Sequence, residues 1–539
     1  MRRFAPLFLF LLCLLSFTPS RPAVGAPQQP PDFMGMVIRD PFNEWNTNPA
    51  FLNAENQTFY DALGQNIANA RVKYVRFEFR VEDGSVYDPT NPSAGINFPA
   101  YDYFINTVAP RFGFKIIGLL STNLIKDASD PNAGGGGLLS PELLEPAKAD
   151  ALPGEGEVTT QCYPDPGPNP INPGYRYGCG TTKAMRIWLD HAFAIADRYG
   201  PKIATYEVLN EENRYINGNG QGIDPSALGT LMAKFYRVFK YGTAPVSSQI
   251  IPPSWRNQQV PGWASQINLI LGGLQAGRCD DCAPGGTTDE QYLDAVYKSA
   301  PFQGFKSTPT YGGVYPVDGV GYHPYPMEIH LNPESNEPTG IAYIPLMGPR
   351  IEGIAGVMAA NGDGAHKLWI TEIGDRGDPN DAQDAARQAQ FLRMAYSALW
   401  QEHAVVQTVL WFKYEDFDVV HNDENWGVVR LVPGTTTEYA PSGAVQIYKP
   451  SYYAYMDMAT NGIPKFSTLY LPYVPHQVVV TTPSPTPSPM PTATTRPTPT
   501  MTSVPTATTR PPTTTSAPTP TTTMTATPTS TSTGGAGQR

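Results

Sequence analysis

The stretch "KIATYEVLNEEN" (Lys202–Asn213) reads as a mostly apolar strand that stops abruptly on Asn210-Glu211-Glu212-Asn213. A strand apolar along its length is buried on both faces, which is the pattern of a parallel sheet covered by crossover helices. Amides and carboxylates at its carboxyl end then fit a strand that opens onto a pocket.

The unit recurs along the chain. Besides Ile203–Asn210, candidate strands are "GMVIRD" (Gly35–Asp40), "VKYVRFEF" (Val72–Phe79), "FKIIGLLS" (Phe114–Ser121), "INLILGGL" (Ile267–Leu274), "DGVGYHPY" (Asp318–Tyr325), "HKLWITEI" (His366–Ile373) and "VVQTVLWF" (Val405–Phe412). Helix signals lie between them: Thr182 before "KAMRIWLDHAFAIADRY" with Gly200 behind it, and Asp224-Pro225 before "SALGTLMAKFYRVFKY" with Gly242 behind it. "DAQDAARQAQFLRMAYSALWQEH" and "PSYYAYMDMA" supply later helices.

Eight apolar strands separated by helices predict a (β/α)8 TIM barrel, in which reactive groups stand at the carboxyl ends of the strands. An open doubly wound sheet is the alternative, and no GxGxxG follows an early strand to support dinucleotide binding. In the barrel, Asn210 and Glu211 end strand four, and "LWITEIGDRG" puts Thr371 and Glu372 at the same level on strand seven. Two carboxylates facing one pocket are what glycosidic cleavage needs: one protonates the departing oxygen while the other attacks or stabilises the cationic carbon.

An Asn-Glu pair closing strand four and a Glu closing strand seven resemble the clan of retaining (β/α)8 glycoside hydrolases that includes the cellulase-like family 5 and the xylosidase-like family 39. The resemblance spans nearly the whole folded part, with its strong motifs on strands four, six, seven and eight. It implies Glu211 as acid/base, Glu372 as nucleophile and Asn210 as partner of the sugar 2-hydroxyl, with no metal or cofactor. It also puts His323 and Tyr325, from "VGYHPYP", beside the nucleophile. "ENWGVV" (Glu424–Val429) and "KPSYYAYMDM" (Lys449–Met458) resemble the usual ending of such barrels. One departure is Glu212-Asn213, where many relatives have proline after the strand-four Glu.

The residues themselves add to this. Arg76, Glu78 and Arg80 alternate along strand two, and Arg76 is within reach of Glu372, either to bind it or in a salt bridge inside the barrel. A nucleophile benefits from such a cation, whereas an acid needs its pKa raised by burial or by a second carboxylate. Trp411 on strand eight is expected to stack on a sugar ring, unless it is an ordinary core tryptophan. Glu207 sits deeper on strand four and is a poorer acid candidate.

Residues 1–25 join a basic start to a short apolar run and small residues, as a secretory signal does. The expected product is extracellular, secreted or cell-surface associated, without a membrane span in the mature protein. In that setting Cys162 with Cys179, and Cys279 with Cys282, are expected to form two local disulfides. A four-cysteine zinc site is the competitor, and it lacks two CxxC knuckles. The first pair would pin the long connection of about residues 122–181 after strand three as a wall over the cleft.

Residues 32–477 are expected to form the catalytic domain, and residues 478–539 a disordered Thr/Pro-rich tail, a linker or stalk in which "PTATTRP" recurs at Pro491 and Pro505. The net charge is −11, and the signal and tail hold six of the 37 basic residues and none of the 48 acidic ones, so the folded part is more acidic still. This argues against nucleic acid or an anionic membrane as partner.

The expected function is therefore a secreted glycoside hydrolase acting by double displacement on a poly- or oligosaccharide, with β-linked ones expected. The rival from another class is a non-catalytic carbohydrate-binding or cell-surface protein on the same barrel. A secreted esterase or protease is disfavoured, because neither GxSxG nor HExxH occurs.

Overall fold

The computed structural model describes residues 32–41, 54–89, 91–130, 141–146, 181–213, 222–241, 264–277, 289–326, 340–416, 425–431 and 446–465. These belong to the first of two compact units, Met1–Pro472. The expected signal, Thr/Pro tail, four cysteines and most of the connection after the third strand lie outside the described residues.

All eight candidate strands form: β1 (Met34–Val37), β2 (Tyr74–Phe79), β3 (Lys115–Leu120), β4 (Thr205–Asn210), β5 (Asn268–Gln275), β6 (Gly319–His323), β7 (Lys367–Ile373) and β8 (Val406–Trp411). Each pairs in parallel with the next, and Met34↔Val409 through Met36↔Trp411 joins β1 to β8. The sheet is thus a closed barrel without edges, which replaces the open-sheet alternative. β1 is shorter than the sequence suggested, since Ile38–Asp40 leave the strand and Arg39 and Asp40 turn to ion pairs with Glu415 (2.7 Å) and Arg80 (3.1 Å).

Helices follow the strands: α1 (Ala54–Asn69), α2 (Phe98–Tyr103), α3 (Lys183–Tyr199), α4 (Pro225–Tyr241), α5 (Asp289–Lys298), α6 (Met347–Ala360), α7 (Ala382–Gln401) and α8 (Pro450–Asn461). Their starts are those the caps indicate. The Thr182 side chain accepts from Met185 N (3.3 Å), Asp224 Oδ1 from Ser226 N (2.8 Å) and Asp381 Oδ1 from Gln383 N (2.8 Å), each such cap stabilising by about 1 kcal/mol. A two-stranded antiparallel ribbon, β9 (Val429–Leu431) with β10 (Gln446–Tyr448), precedes α8.

Strand alternation divides the apolar side chains into two groups. Val37, Tyr74, Ile117, Ile270, Trp369 and Leu410 fill the barrel interior, with Tyr74 and Trp369 edge to face at 5.9 Å. Their neighbours in sequence point outward into the much larger core between barrel and helices. The inner plug closes the barrel below, so polar side chains further along the same strands are held above it, at the carboxyl end.

Candidate active site

Two residues beyond Tyr74 on the inner face of β2, Arg76 replaces apolar packing with charge. It is 3% exposed and makes three bonds: Nε to Glu207 Oε2 (2.5 Å), one terminal nitrogen to Glu372 Oε1 (2.7 Å) and the other to Asn210 Oδ1 (2.7 Å). Burial disfavours the guanidinium charge, but Glu207 and Glu372 outweigh it and hold the pKa above its ordinary value. Arg76 therefore ties β2 to both β4 and β7.

Asn210 and Glu211 are consecutive, so an ordinary strand would send them to opposite faces. Instead Val208 and Leu209 both point into the outer core, and Leu209 takes φ +69° and Glu211 φ +49°. Left-handed backbone at a bulky residue is strained, and here it resets the alternation so that both functional side chains reach the pocket. The facing strand makes room: a Cβ on Gly273 would lie 2.0 Å from His323 Nε2, while Gly273 N donates to Glu207 Oε1 (3.0 Å) and Gly273 O accepts from Glu211 N (3.0 Å).

A chain of hydrogen bonds fixes where protons can be. Thr371 Oγ1 donates its single proton to Glu207 Oε1 (2.7 Å), so its contact with His323 Nε2 (3.0 Å) requires Nε2 to carry a hydrogen. His323 Nδ1 is 3.0 Å from Glu211 Oε1, and that contact holds one further proton shared between imidazole and carboxyl. His323 is fully buried, which works against its charge, and Glu372 and Glu211 raise its pKa despite burial and Arg76.

Glu372 accepts on both oxygens, from Arg76 on Oε1 and from Tyr325 OH on Oε2 (3.1 Å). Donor atoms of Glu211, His323 and Glu372 all lie within 4.8 Å of one another. A cation could be received by such a set, although Arg76 and the Glu211–His323 proton already engage it. Further out, Arg80 bridges Glu78 (2.7 Å) and Asp40 (3.1 Å), and Asn123 donates to Glu78 (2.6 Å), giving the mouth a charged rim beside β2.

Of the residues singled out in the sequence, Glu211, Glu372, Asn210, Arg76, His323 and Tyr325 converge in this pocket. Trp411 does not. It is fully buried in the outer core against Phe391 of α7 (6.1 Å), because Leu410 occupies the inward position and alternation turns Trp411 out. Phe412, next in line and joined to Lys413 by a cis peptide bond, packs on the inner cluster instead. The nearby aromatic wall is Trp426, with ring contacts to Tyr325 (6.0 Å) and Phe412 (5.9 Å) and the Arg376 guanidinium 5.0 Å from its ring. Its signal lay in "ENWGVV". Glu207 is the anchor of Arg76 and Thr371, and is fully buried.

No family model matches the chain, and no curated protein matches it. Among solved structures it is similar to a family 1 β-glucosidase from Thermotoga maritima (TM-score 0.44, 13% identity, 81% of this chain and 100% of that one). It is similar also to an endo-1,4-β-mannanase from Rhizomucor miehei (TM-score 0.42, 11% identity, 81% of this chain and 97% of that one). A family 39 glycoside hydrolase from Bacteroides cellulosilyticus aligns over 80% of this chain (TM-score 0.39, 16% identity), and the match spans 64% of that protein's length. Likenesses this distant leave the chemistry to the geometry of the pocket.

Proposed function

We propose that this protein is a glycoside hydrolase that cleaves O-glycosidic bonds with retention of configuration, with Glu372 as nucleophile and Glu211 as acid/base. The observation that carries this reading is the approach of Glu211 and Glu372, one carboxyl oxygen of each within 4.8 Å of the other, at the open end of a parallel barrel, too close for the water that an inverting pair holds between its carboxyl groups. Retaining pairs stand about 5–5.5 Å apart, whereas inverting pairs leave about 6.5–9.5 Å for a water.

The reaction follows from the hydrogen bonds. Arg76 and Tyr325 hold the two oxygens of Glu372, orienting the carboxylate for attack on the anomeric carbon. Glu211 gives its proton to the departing glycosidic oxygen as that bond breaks and the glycosyl ester on Glu372 forms. Forming the ester removes the Glu372 charge, the strongest of the influences that raise the His323 pKa. With its proton gone to the leaving group, Glu211 stands as a carboxylate, and the loss of the Glu372 charge favours that state over reprotonation of the Glu211–His323 pair. Glu211 then takes a proton from the water that hydrolyses the ester, which restores the acid and frees Glu372. The Asn210 oxygen is bound by Arg76, which turns its amide NH2 toward a sugar hydroxyl.

Polymeric or oligomeric β-linked glycans are the proposed substrates, met outside the cell. Export, the two disulfides and a Thr/Pro linker or stalk belong to the same proposal and rest on the sequence. The test of the mechanism is proton NMR of the first product released from aryl β-glycosides. A β-anomer formed first is expected; an α-anomer formed first would exclude Glu372 as nucleophile.

A further inference from the structure

Glu212, directly after the acid/base, has a side chain with no obvious purpose. It is 0% exposed, and neither carboxyl oxygen has a well-formed hydrogen bond among the described residues. An unpartnered buried carboxylate is costly, and such groups persist where function requires them. Burial pushes the Glu212 pKa up to about 8, with the charges of Glu207 and Glu211 adding to it, and its own backbone N–H and His323 opposing. At neutral pH the group is a carboxylic acid with a proton to donate.

The backbone of the strained turn borders that carboxyl. A Cβ on Gly272 would lie 2.4 Å from Leu209 O and 2.7 Å from Glu212 Oε2, so the carboxyl and the carbonyl of the left-handed Leu209 converge on one side of Gly272. The next residue, Gly273, faces His323 and accepts from Glu211 N. The backbone oxygen of Glu212 accepts from Ile223 N (2.8 Å), which ties down the far end of the same turn. The titratable groups around it are Glu207 on β4, Glu211 just past its end, His323 from β6 and Tyr292 from α5, whose hydroxyl donates to Ile223 O (2.7 Å).

We propose that Glu212 is a positioning residue for the acid/base: as a neutral carboxylic acid it braces the strained Leu209–Glu211 turn and holds Glu211 against His323, and its ionisation releases that brace. This rests on Glu211 being the acid/base. A side chain that shares the turn with a catalytic carboxyl controls its placement, and a displacement of about 1 Å can cost on the order of 100-fold in rate.

The experiment compares wild type, Glu212→Gln and Glu212→Ala for kcat and KM across pH on an aryl β-glycoside, beside Glu211→Gln and Glu372→Gln. Glutamine keeps a neutral donor and cannot ionise, so its kcat at pH 6 is expected within about threefold of wild type, with the alkaline limb extended to higher pH. Alanine removes the donor, and kcat is expected to fall at least tenfold with KM little changed. If alanine keeps wild-type kcat, or glutamine loses as much as alanine, the proposal is overturned. If instead Glu211→Gln and Glu372→Gln keep full turnover, it is the assignment of the acid/base that fails. Infrared difference spectra of wild type against Glu212→Gln test the acid without any turnover. A protonated-carboxyl band persisting at pH 7 is expected, and its absence there would overturn the proposal.

Discussion

Arg76 and Glu372, 296 positions apart in the sequence, are joined by a 2.7 Å hydrogen bond inside the barrel mouth. The same guanidinium binds Glu207 and Asn210, so one side chain sets the relative placement of strands β2, β4 and β7. Replacing it with methionine leaves two carboxylates without their cation, and breaking a buried pair in this way costs about 3–5 kcal/mol. Arg76→Met is expected to lower the unfolding free energy by that amount in denaturant titrations and to lower kcat/KM by more than about 100-fold.

The Tyr325 hydroxyl donates to Glu372 Oε2 (3.1 Å). A hydrogen bond to a charged group contributes about 1.5–3 kcal/mol, so Tyr325→Phe should lower kcat/KM by on the order of 10- to 100-fold. Its melting temperature should stay close to that of wild type, since the ring packing is retained.

The two aromatics at the end of β8 should separate stability from binding. Trp411→Ala empties a site in the outer core and is expected to cost about 3–5 kcal/mol, with KM unchanged in whatever fraction remains folded. Phe412→Ala should do the reverse, raising KM with a smaller loss of stability.

Glu212 links stability to pH. Its folded-state pKa, about 8, lies above the unfolded value near 4.5, so the folded protein binds the extra proton between those limits. Stability from this group is full below about pH 4.5 and is lost as pH rises to about 8, a change on the order of 4 kcal/mol. Melting curves of wild type and Glu212→Gln should therefore differ little at pH 4.5, with the variant the more stable at pH 8.

Because two carboxylates carry the proposed chemistry, dialysis against a chelator should leave kcat/KM unchanged, and added divalent cations should not raise it.

The barrel was legible because strands buried on both faces must be continuous apolar runs, and each of the eight announced itself that way. The pocket was legible in part for the same reason, since Asn210, Glu211 and Glu372 interrupt those runs at their carboxyl ends. What the sequence hid was parity. Nothing in "EVLNEE" says that Val208 and Leu209 both turn outward, so the pairing of Asn210 with Glu211 on one face depends on a left-handed residue that only the fold reveals. The same blindness put Trp411 in the pocket, whereas one step of alternation turns it into the outer core and leaves Phe412 against the inner cluster. The burial of Glu212 was equally hidden, since a charge just past a strand end usually stands in solvent.

The most direct measurement is sugar release from a panel of β-linked polysaccharides and aryl β-glycosides by wild type and by Glu372→Gln, both shown to be folded. Release by wild type and none by the variant is the expected result, and the panel then names the substrate. Silence from both, with sugar still bound by both, would contradict the proposed activity and leave a carbohydrate-binding protein on a hydrolase-like barrel.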